Sequence, residues 1–330
     1  MREFAKPSVV VSKCLGFAAC RYNGLTIPDV LVDRLRAHVE FRPVCAEMEI
    51  GLGVPRDPVR IISVSGELRL VQPATGADLT DTMRAFAASF LDSLGPVDGF
   101  VLKSRSPSCG LRDTKIYSGL EKGPVIGKGG GFFGGSITVR YSALAVEDEA
   151  RLSNARIREH FLTKLFTVAG FRQVKATSTM GALVRFQAEN KLLFMAYNQA
   201  EMRVLGKIVA NRERRPLSDV LLDYEGHLSM AVARPPRPGA NINALLHSFG
   251  YFSERLSAAE KAFFLETLER YRTGRVPLSA ATSILRSWIV RFAEDYLRVQ
   301  TYFGPFPEAL LDTGMGVDVS TSRDYWPRTE

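Results

Sequence analysis

The residue types best suited to chemistry in this sequence are its cysteines. In a long chain without a secretory signal, scattered thiols serve as buried core residues, metal ligands or nucleophiles more often than as disulfides. Residues 1–7 lack the apolar core of a signal peptide, so we expect a cytoplasmic protein with free thiols. The four cysteines are Cys14, Cys20, Cys45 and Cys109.

Three of the four cysteines follow segments with strand character. Cys14 comes after residues 8–12, Cys45 after 41–44, and Cys109 a few residues after 99–103. In an open parallel sheet, ligand sites form beyond the carboxyl ends of the strands, and thiols gathered there would suit a soft metal or a cluster. Each cysteine taken alone can also be read as a small buried hydrophobic residue. The absence of a C-x-x-C pair argues against a closed zinc site.

The elements that must position these thiols read as alternating strands and helices over the first 140 residues. Thr80 is a candidate cap for a helix whose apolar positions recur at a period of 3.6 residues, and Gly95-Pro96 ends that helix. We therefore predict an α/β domain with a mostly parallel sheet at residues 1–149. The glycine-rich stretch at 119–136 lacks the GK[ST] ending of a phosphate-binding loop, and we interpret it as a flexible loop.

The second half reads as helical. Asn154–168 is amphipathic, Ser257 and Glu260 fit a capping box, and Ser279 is a candidate cap for a further helix. We predict an all-α domain at residues 150–330. No apolar run reaches the ~20 residues needed to span a bilayer, so no membrane association is expected.

The charge is unevenly distributed between the two halves. Residues 1–149 hold 18 basic and 17 acidic residues, whereas the remainder holds 25 basic and 18 acidic residues. The excess of +7 in the second half could attract RNA, or it could belong to an ordinary solvated helical surface.

Three ordered motifs around the cysteines resemble those of the 2-thiouracil desulfurase family. Cys14-Leu15-Gly16 with residues 21–24 (RYNG) resembles C-L-x-G…R-Y-[DN]-G. Residues 45–47 (CAE) with 51–56 (GLGVPR) resemble C-P-E…G-L-G-x-P-R, with Ala46 in place of the proline. Residues 102–110 (LKSRSPSCG) match L-K-x-x-S-P-S-C-G in full.

The helical half resembles the domain of unknown function that is often fused to this family. Residues 243–252 (NALLHSFGYF), 271–274 (YRTG) and 300–303 (QTYF) carry that resemblance. Histidines that are usual in relatives near Phe186, Asn190 and Tyr197 are absent here.

The resemblance implies a [4Fe-4S] cluster held by Cys14, Cys45 and Cys109, with the fourth iron open and Cys20 outside the ligand set. It implies non-redox desulfuration of a thiolated pyrimidine, nucleoside or similar thio-compound, whose sulfur the open iron captures while water supplies oxygen. Glu47 is the expected base and Ser106 the expected proton relay. Ser108, Lys103 and Arg56 are candidate substrate-binding residues, although Glu47 and Ser106 could also be ordinary loop residues.

The predicted partner is thus a small thio-base or thionucleoside. Two alternatives remain at this stage. The basic helical domain could bind thiolated tRNA, or the cluster could serve as a non-catalytic sensor.

Overall fold

The structure is a computed structural model that describes residues 2–120 and 123–311. The first half alternates strands with helices, as the sequence predicts. In chain order its elements are β1 (Ser8–Ser12), α1 (Val30–Leu35), β2 (Glu40–Val44), α2 (Ala46–Glu49), β3 (Arg60–Val64), β4 (Glu67–Gln72), β5 (Ala77–Asp78), α3 (Thr80–Ser93), β6 (Gly99–Leu102), β7 (Thr114–Tyr117), β8 (Val125–Gly129), α4 (Phe132–Arg140), β9 (Ala145–Asp148) and α5 (Glu149–Leu152).

The second half is helical, as predicted. Its helices are α6 (Ala155–Thr177), α7 (Met180–Glu189), α8 (Lys191–Tyr197), α9 (Gln199–Ala210), α10 (Leu217–Ala231), α11 (Pro238–Gly250), α12 (Ala258–Arg272), α13 (Leu278–Arg291) and α14 (Asp295–Arg298), followed by 3₁₀ turns at Thr301–Phe303 and Glu308–Leu310. Among the residues described, no helix combines the length and apolar character needed to cross a bilayer.

Four strands form the parallel sheet, in the order β2-β1-β6-β9. All five residues of β1 are buried, which explains why this strand reads as a continuous apolar run rather than as an alternating one. Val10 packs into the core on one face of the sheet with α3 and α4, whereas Val9 and Val11 pack with α1 and α6 on the other face. Helices therefore cover both faces.

Five further strands form a mixed sheet, in the order β5-β4-β3-β7-β8, which the sequence analysis did not predict. Its hairpin between β3 and β4 turns through Ser65 and Gly66, both at positive φ. A two-residue turn of this kind matches the right-handed twist of the strands it joins. Ser65-Gly66 between two segments with strand character is the sequence feature that could have predicted this hairpin.

Two expected helix caps are wrong, and one is confirmed. Thr80 does not cap α3, because its hydroxyl instead accepts from the Leu70 amide. Ser279 lies inside α13, whose cap position is Pro277. Ser257 and Glu260 form the predicted capping box at the start of α12.

The glycine-rich segment is not the flexible loop that we expected, apart from residues 121 and 122, which lie outside the described residues. It forms β8 and the beginning of α4. The first amides of α4 donate to carbonyls of the loop that carries Cys109, with Phe133 and Gly134 both reaching Ser108 O at 3.0 and 2.9 Å. The helix N-terminus therefore holds this loop in place.

Asp98 ties the parallel sheet to α6. It is 1% exposed and accepts from the Ser8 amide at 2.7 Å and from Arg172 Nη2 at 2.9 Å. Arg172 also donates to Lys6 O at 3.0 Å. A buried carboxylate with several donors is stable only while those donors remain.

We expect Asp98→Asn to lower the free energy of unfolding by about 2 kcal/mol, because the charge-assisted contact with Arg172 is lost. Urea titration measures the change. Asp92→Asn is the matched control, since Asp92 is exposed and pairs with Arg140 at the surface. Equal stability of Asp98→Asn and wild type would contradict this role.

Gly134→Ala should disturb the Cys109 loop. A Cβ at Gly134 would lie 2.3 Å from Cys109 O, so the backbone must shift, at a cost of about 1–3 kcal/mol. Iodoacetamide labelling of Cys109, which is 7% exposed, should become faster.

Gly135→Ala provides the control within the same helix. The nearest atom to its added Cβ is Gly130 Cα at 4.0 Å, so we expect unchanged labelling and a stability gain of up to about 1 kcal/mol. Identical labelling rates in the two variants would show that the close approach of Gly134 to Cys109 O does not position the Cys109 loop.

Candidate functional site

Three cysteines lie where three adjacent parallel strands end. Cys14 stands two residues after β1, Cys45 directly after β2, and Cys109 in the loop after β6. Because β2, β1 and β6 run in the same direction side by side, their carboxyl ends lie at one edge of the sheet. The sequence prediction that the three thiols share one edge is consistent with this arrangement.

These thiols are close enough to influence one another electrostatically. Burial raises the pKa of Cys14 to about 11, with a further contribution from Cys45. Burial also raises the pKa of Cys109, to which Cys14 and Cys45 add, while a hydrogen bond with Ser12 opposes the shift. Both groups are therefore neutral thiols at pH 7, and a bound metal would have to displace their protons.

Cys20 lies in the same group, which the sequence analysis did not foresee. Its side chain hydrogen-bonds with that of Cys45, and burial together with Cys45 raises the pKa of Cys20 to about 12. Cys45 Sγ also lies 3.8 Å from Cys20 O. Arg56 donates to Cys20 O at 3.0 Å and so holds the Cys20 segment beside Cys45. Because this contact spans 36 residues, no local motif predicts the position of Cys20.

Glu47 bridges the loops that follow β2 and β6. Its Oε1 accepts from Ser108 Oγ at 2.8 Å, and its Oε2 accepts from Arg56 Nη2 at 2.6 Å. Glu47 also influences the pKa of Cys109. The predicted base is thus placed beside a predicted ligand, as expected from its position two residues after Cys45.

Arg56 and Ser108 are largely enclosed by protein. The Arg56 side chain is 4% exposed and also donates to Gly53 O at 2.9 Å. Ser108 is fully buried and directs its hydroxyl hydrogen to Glu47. The structure brings both to the site, and their contact with substrate stays a prediction.

Ser106 orders the backbone in front of Cys109. Its Oγ accepts from the amides of Ser108 at 3.2 Å and Cys109 at 3.0 Å. The half-buried hydroxyl keeps its own hydrogen available for donation. A proton relay through Ser106 remains compatible with this geometry.

Lys103 is paired near Cys14. Its ammonium contacts Glu149 and donates to Ser104 Oγ at 3.0 Å. Lys103 lowers the pKa of Cys14 while Glu149 raises it. Glu149 is a site residue that the sequence analysis missed, because it enters from the end of β9, far along the chain.

The donor set fits an iron–sulfur cluster chemically, since cluster iron is held by soft thiolates. Among the described residues, however, no three side chains of the usual ligand types are placed to hold a single metal ion together. A four-iron cluster does not require that arrangement, because each thiolate binds a different iron. The shared edge and the mutual influence of the thiols are the observations that support the fit.

Two cavities, of about 280 and 710 Å³, contain none of the predicted site residues. The smaller lies between the N-terminal segment, α6 and α7, and the larger lies beside α9. We therefore locate the candidate site by its side-chain chemistry and not by cavity size.

Many basic residues of the second half have acidic partners in the same half, and these pairs leave its excess of +7 unchanged. Arginines on α12 and α13 contact acidic residues of the same half, as do Arg215 and Arg255. RNA binding therefore stays a prediction without a structural feature that favours it.

Comparison with known proteins agrees with the site. The family model described as 2-thiouracil desulfurase matches residues 9–149, and a protein of unknown function model, DUF1722, matches residues 191–307. The uncharacterized protein YbgA of Escherichia coli is 27% identical over 157 residues, covering 47% of this chain and 93% of YbgA. The uncharacterized protein YbbK of Bacillus subtilis is 33% identical over 125 residues, covering 36% of this chain and 82% of YbbK.

A solved structure also matches the chain. It is the [4Fe-4S]-dependent thiouracil desulfidase TudS, which is 28% identical and has a TM-score of 0.35, with 45% of this chain and 94% of that chain covered. Together with the thiol geometry described above, the family model and the YbbK match lead to one conclusion. The chain belongs to the 2-thiouracil desulfurase family of enzymes through residues 9–149 and carries a DUF1722 domain behind it.

Proposed function

We propose that this protein replaces the sulfur of a thiolated pyrimidine, nucleoside or similar thio-compound with oxygen from water, using a [4Fe-4S] cluster bound by Cys14, Cys45 and Cys109. The observation that carries the proposal is the placement of these cysteines after three adjacent parallel strands in a chain of this family. The reaction converts a thiocarbonyl and water into a carbonyl and hydrogen sulfide, so no net electron transfer is needed.

When bound, the cluster would supply a Lewis-acidic iron without a protein ligand, able to polarise the C–S bond and accept the departing sulfur. The three cysteine side chains would hold it as thiolates. The nearby Lys103 ammonium favours the thiolate form of Cys14 electrostatically.

Glu47 is the proposed base that takes a proton from the attacking water. Its Oε2 accepts from both Nε and Nη2 of Arg56, whereas its Oε1 accepts from Ser108 Oγ and retains a further lone pair for water. The two donors hold the carboxylate in one orientation. This fixed geometry is what general-base catalysis requires.

Of the remaining site residues, Ser106 and Lys103 would orient the substrate. Ser106 can donate its free hydroxyl hydrogen to a carbonyl or ring nitrogen of a pyrimidine, and Lys103 lies near Cys14. Arg56 would act chiefly by holding Glu47 and the Cys20 backbone.

The first prediction from this proposal concerns cluster binding. After anaerobic reconstitution, wild type and Cys20→Ser should contain iron and sulfide and show the same broad thiolate-to-iron absorption. Cys14→Ser, Cys45→Ser and Cys109→Ser should each lose most of the iron, because a thiolate ligand is removed. Cys20→Ser is the matched control, since it alters a thiol within the same group.

Wild type should then release sulfide from 2-thiouracil. A wild type without iron, or a Cys20→Ser variant that loses the cluster, would overturn the ligand assignment. An intact cluster with no sulfide release from any thio-base would instead favour the sensor alternative.

The second prediction separates the base from the cluster. Glu47→Gln should keep the iron content and reduce kcat by about 10²- to 10⁴-fold, because glutamine cannot accept the proton of water. Glu49→Gln, on the exposed side of α2, should behave like wild type. Thermal unfolding of both variants checks that folding is unchanged. Full activity in folded Glu47→Gln would remove Glu47 from the mechanism.

A further inference from the structure

Lys164 is a buried lysine without a counter-charge. It lies on α6, is 7% exposed, and has no hydrogen bond or ion pair with any described residue. Lysine is almost never buried this deeply unless it is paired. Its charge therefore lacks a protein counter-charge among the described residues.

Three other cations of α6 have partners. Arg158 donates to Leu152 O at 2.8 Å, Arg172 pairs with Asp98, and Lys175 pairs with Glu225. No carboxylate contributes to the pKa of Lys164, which burial alone lowers to about 8. These three cations contact carbonyl or carboxylate oxygens, whereas no such contact is present for Lys164 among the described residues.

A polar cluster adjoins Lys164 through His160, whose pKa Lys164 influences. His160, one helical turn earlier, places Nδ1 3.3 Å from Tyr197 OH, and the two rings stack at a centroid distance of 5.7 Å. Burial raises the pKa of Tyr197, and the side chain of Thr163 opposes that shift. Burial and the nearby Lys164 lower the pKa of His160 to about 4, so His160 is a neutral donor or acceptor at pH 7.

The Lys164 amine keeps access to solvent. The buried polar atoms that are sealed from solvent without a partner are, within the described part of the chain, Ser8 Oγ and Asp148 Oδ2. Lys164 Nζ is not one of them, although its side chain is nine-tenths buried. A soluble ligand could therefore reach the amine.

We propose that Lys164, with His160, Thr163 and Tyr197, forms a binding site for a small ligand that carries a carboxylate or phosphate group. The ligand's anion supplies the counter-charge that the protein omits, and the neutral imidazole and hydroxyl groups complete its hydrogen bonds. The site lies on α6 and α8, and residues 155–177 lie outside both matched family regions.

This site is independent of the proposed desulfuration, and its test needs no change in the cluster. Full-length wild type, Lys164→Met, Lys164→Arg and Lys175→Met are compared by thermal unfolding in potassium phosphate, in potassium acetate, and in potassium chloride of equal ionic strength. Lys175→Met is the matched control, because it removes a paired, exposed lysine from the same helix.

We expect phosphate or acetate to raise the Tm of wild type and Lys175→Met above the chloride value, to raise that of Lys164→Arg less, and to leave Lys164→Met unchanged. In chloride, Lys164→Met should be at least as stable as wild type, because an unpaired buried charge is replaced by an apolar side chain of similar length. Which of the two ions acts identifies the preferred anionic group.

Competitive acylation provides the second readout. Lys164 should reach half-maximal acylation near pH 8. The titratable groups of its surroundings are Glu147 of β9, Tyr197 of α8, and His160 and Glu159 of α6 itself. The active anion should slow acylation of Lys164 about tenfold when its concentration is about ten times its dissociation constant. Lys175 should not be protected.

Three results would overturn the proposal. The first is that neither phosphate nor acetate raises the Tm of wild type above its value in chloride. The second is that an anion raises the Tm of Lys164→Met as much as that of wild type. The third is that Lys164→Met is less stable than wild type in chloride, which would reveal a structural partner for the amine. Iron content and sulfide release are measured separately, so failure here leaves the desulfurase proposal untouched.

Discussion

The parallel pairing of β2, β1 and β6 is the constraint on which the site depends. Ser12 pairs with Val44, and the next residue, Lys13, continues the ladder by donating to Val44 O at 2.8 Å. The Ser12 hydroxyl accepts from the Lys103 amide at 2.9 Å and so joins the end of β1 to the end of β6. A register shift of one residue would break both links and separate the segments that carry the thiols.

Each cysteine segment is then held by its own backbone contacts. Cys45 occupies the N-cap position of α2, and the carbonyl of Cys14 accepts from the Ile27 amide at 2.8 Å. Cys109 is held by Ser106 on one side and by the N-terminus of α4 on the other. Their main chains are therefore fixed, while the thiols can still rotate about their Cα–Cβ bonds.

The strands that lead to the thiols could be predicted because local sequence determines them. The run at Ser8–Ser12 is β-branched and buried, and the predicted strand after it coincides with β2. The glycine-rich segment could not be interpreted locally, because glycine suits both flexibility and close packing. The close approach of Gly134 to Cys109 O, which lies 25 residues earlier in the chain, shows that the glycine here serves close packing and not flexibility.

Cys20 and Glu149 were missed for the same physical reason. Cys20 reaches Cys45 because Arg56, 36 residues later, binds its carbonyl. Glu149 reaches Lys103 because β9 pairs with β6. Long-range pairing of this kind leaves no periodic pattern in either segment, so hydrophobic spacing and turn residues cannot report it.

The hydrogen bonds of the site limit how a substrate could be recognised. A substrate that bound Arg56 would compete with Glu47, Cys20 O and Gly53 O for its donors, and it would leave the Glu47 carboxylate without its counter-charge. Lys103 is similarly engaged by Glu149. The Ser106 hydroxyl differs, since it accepts two amide hydrogens and still has its own to give. Recognition of an uncharged pyrimidine by this hydroxyl would break no ion pair, whereas an anionic substrate would have to displace one. Under the proposed function, these hydrogen bonds favour a neutral thio-base over an anionic one.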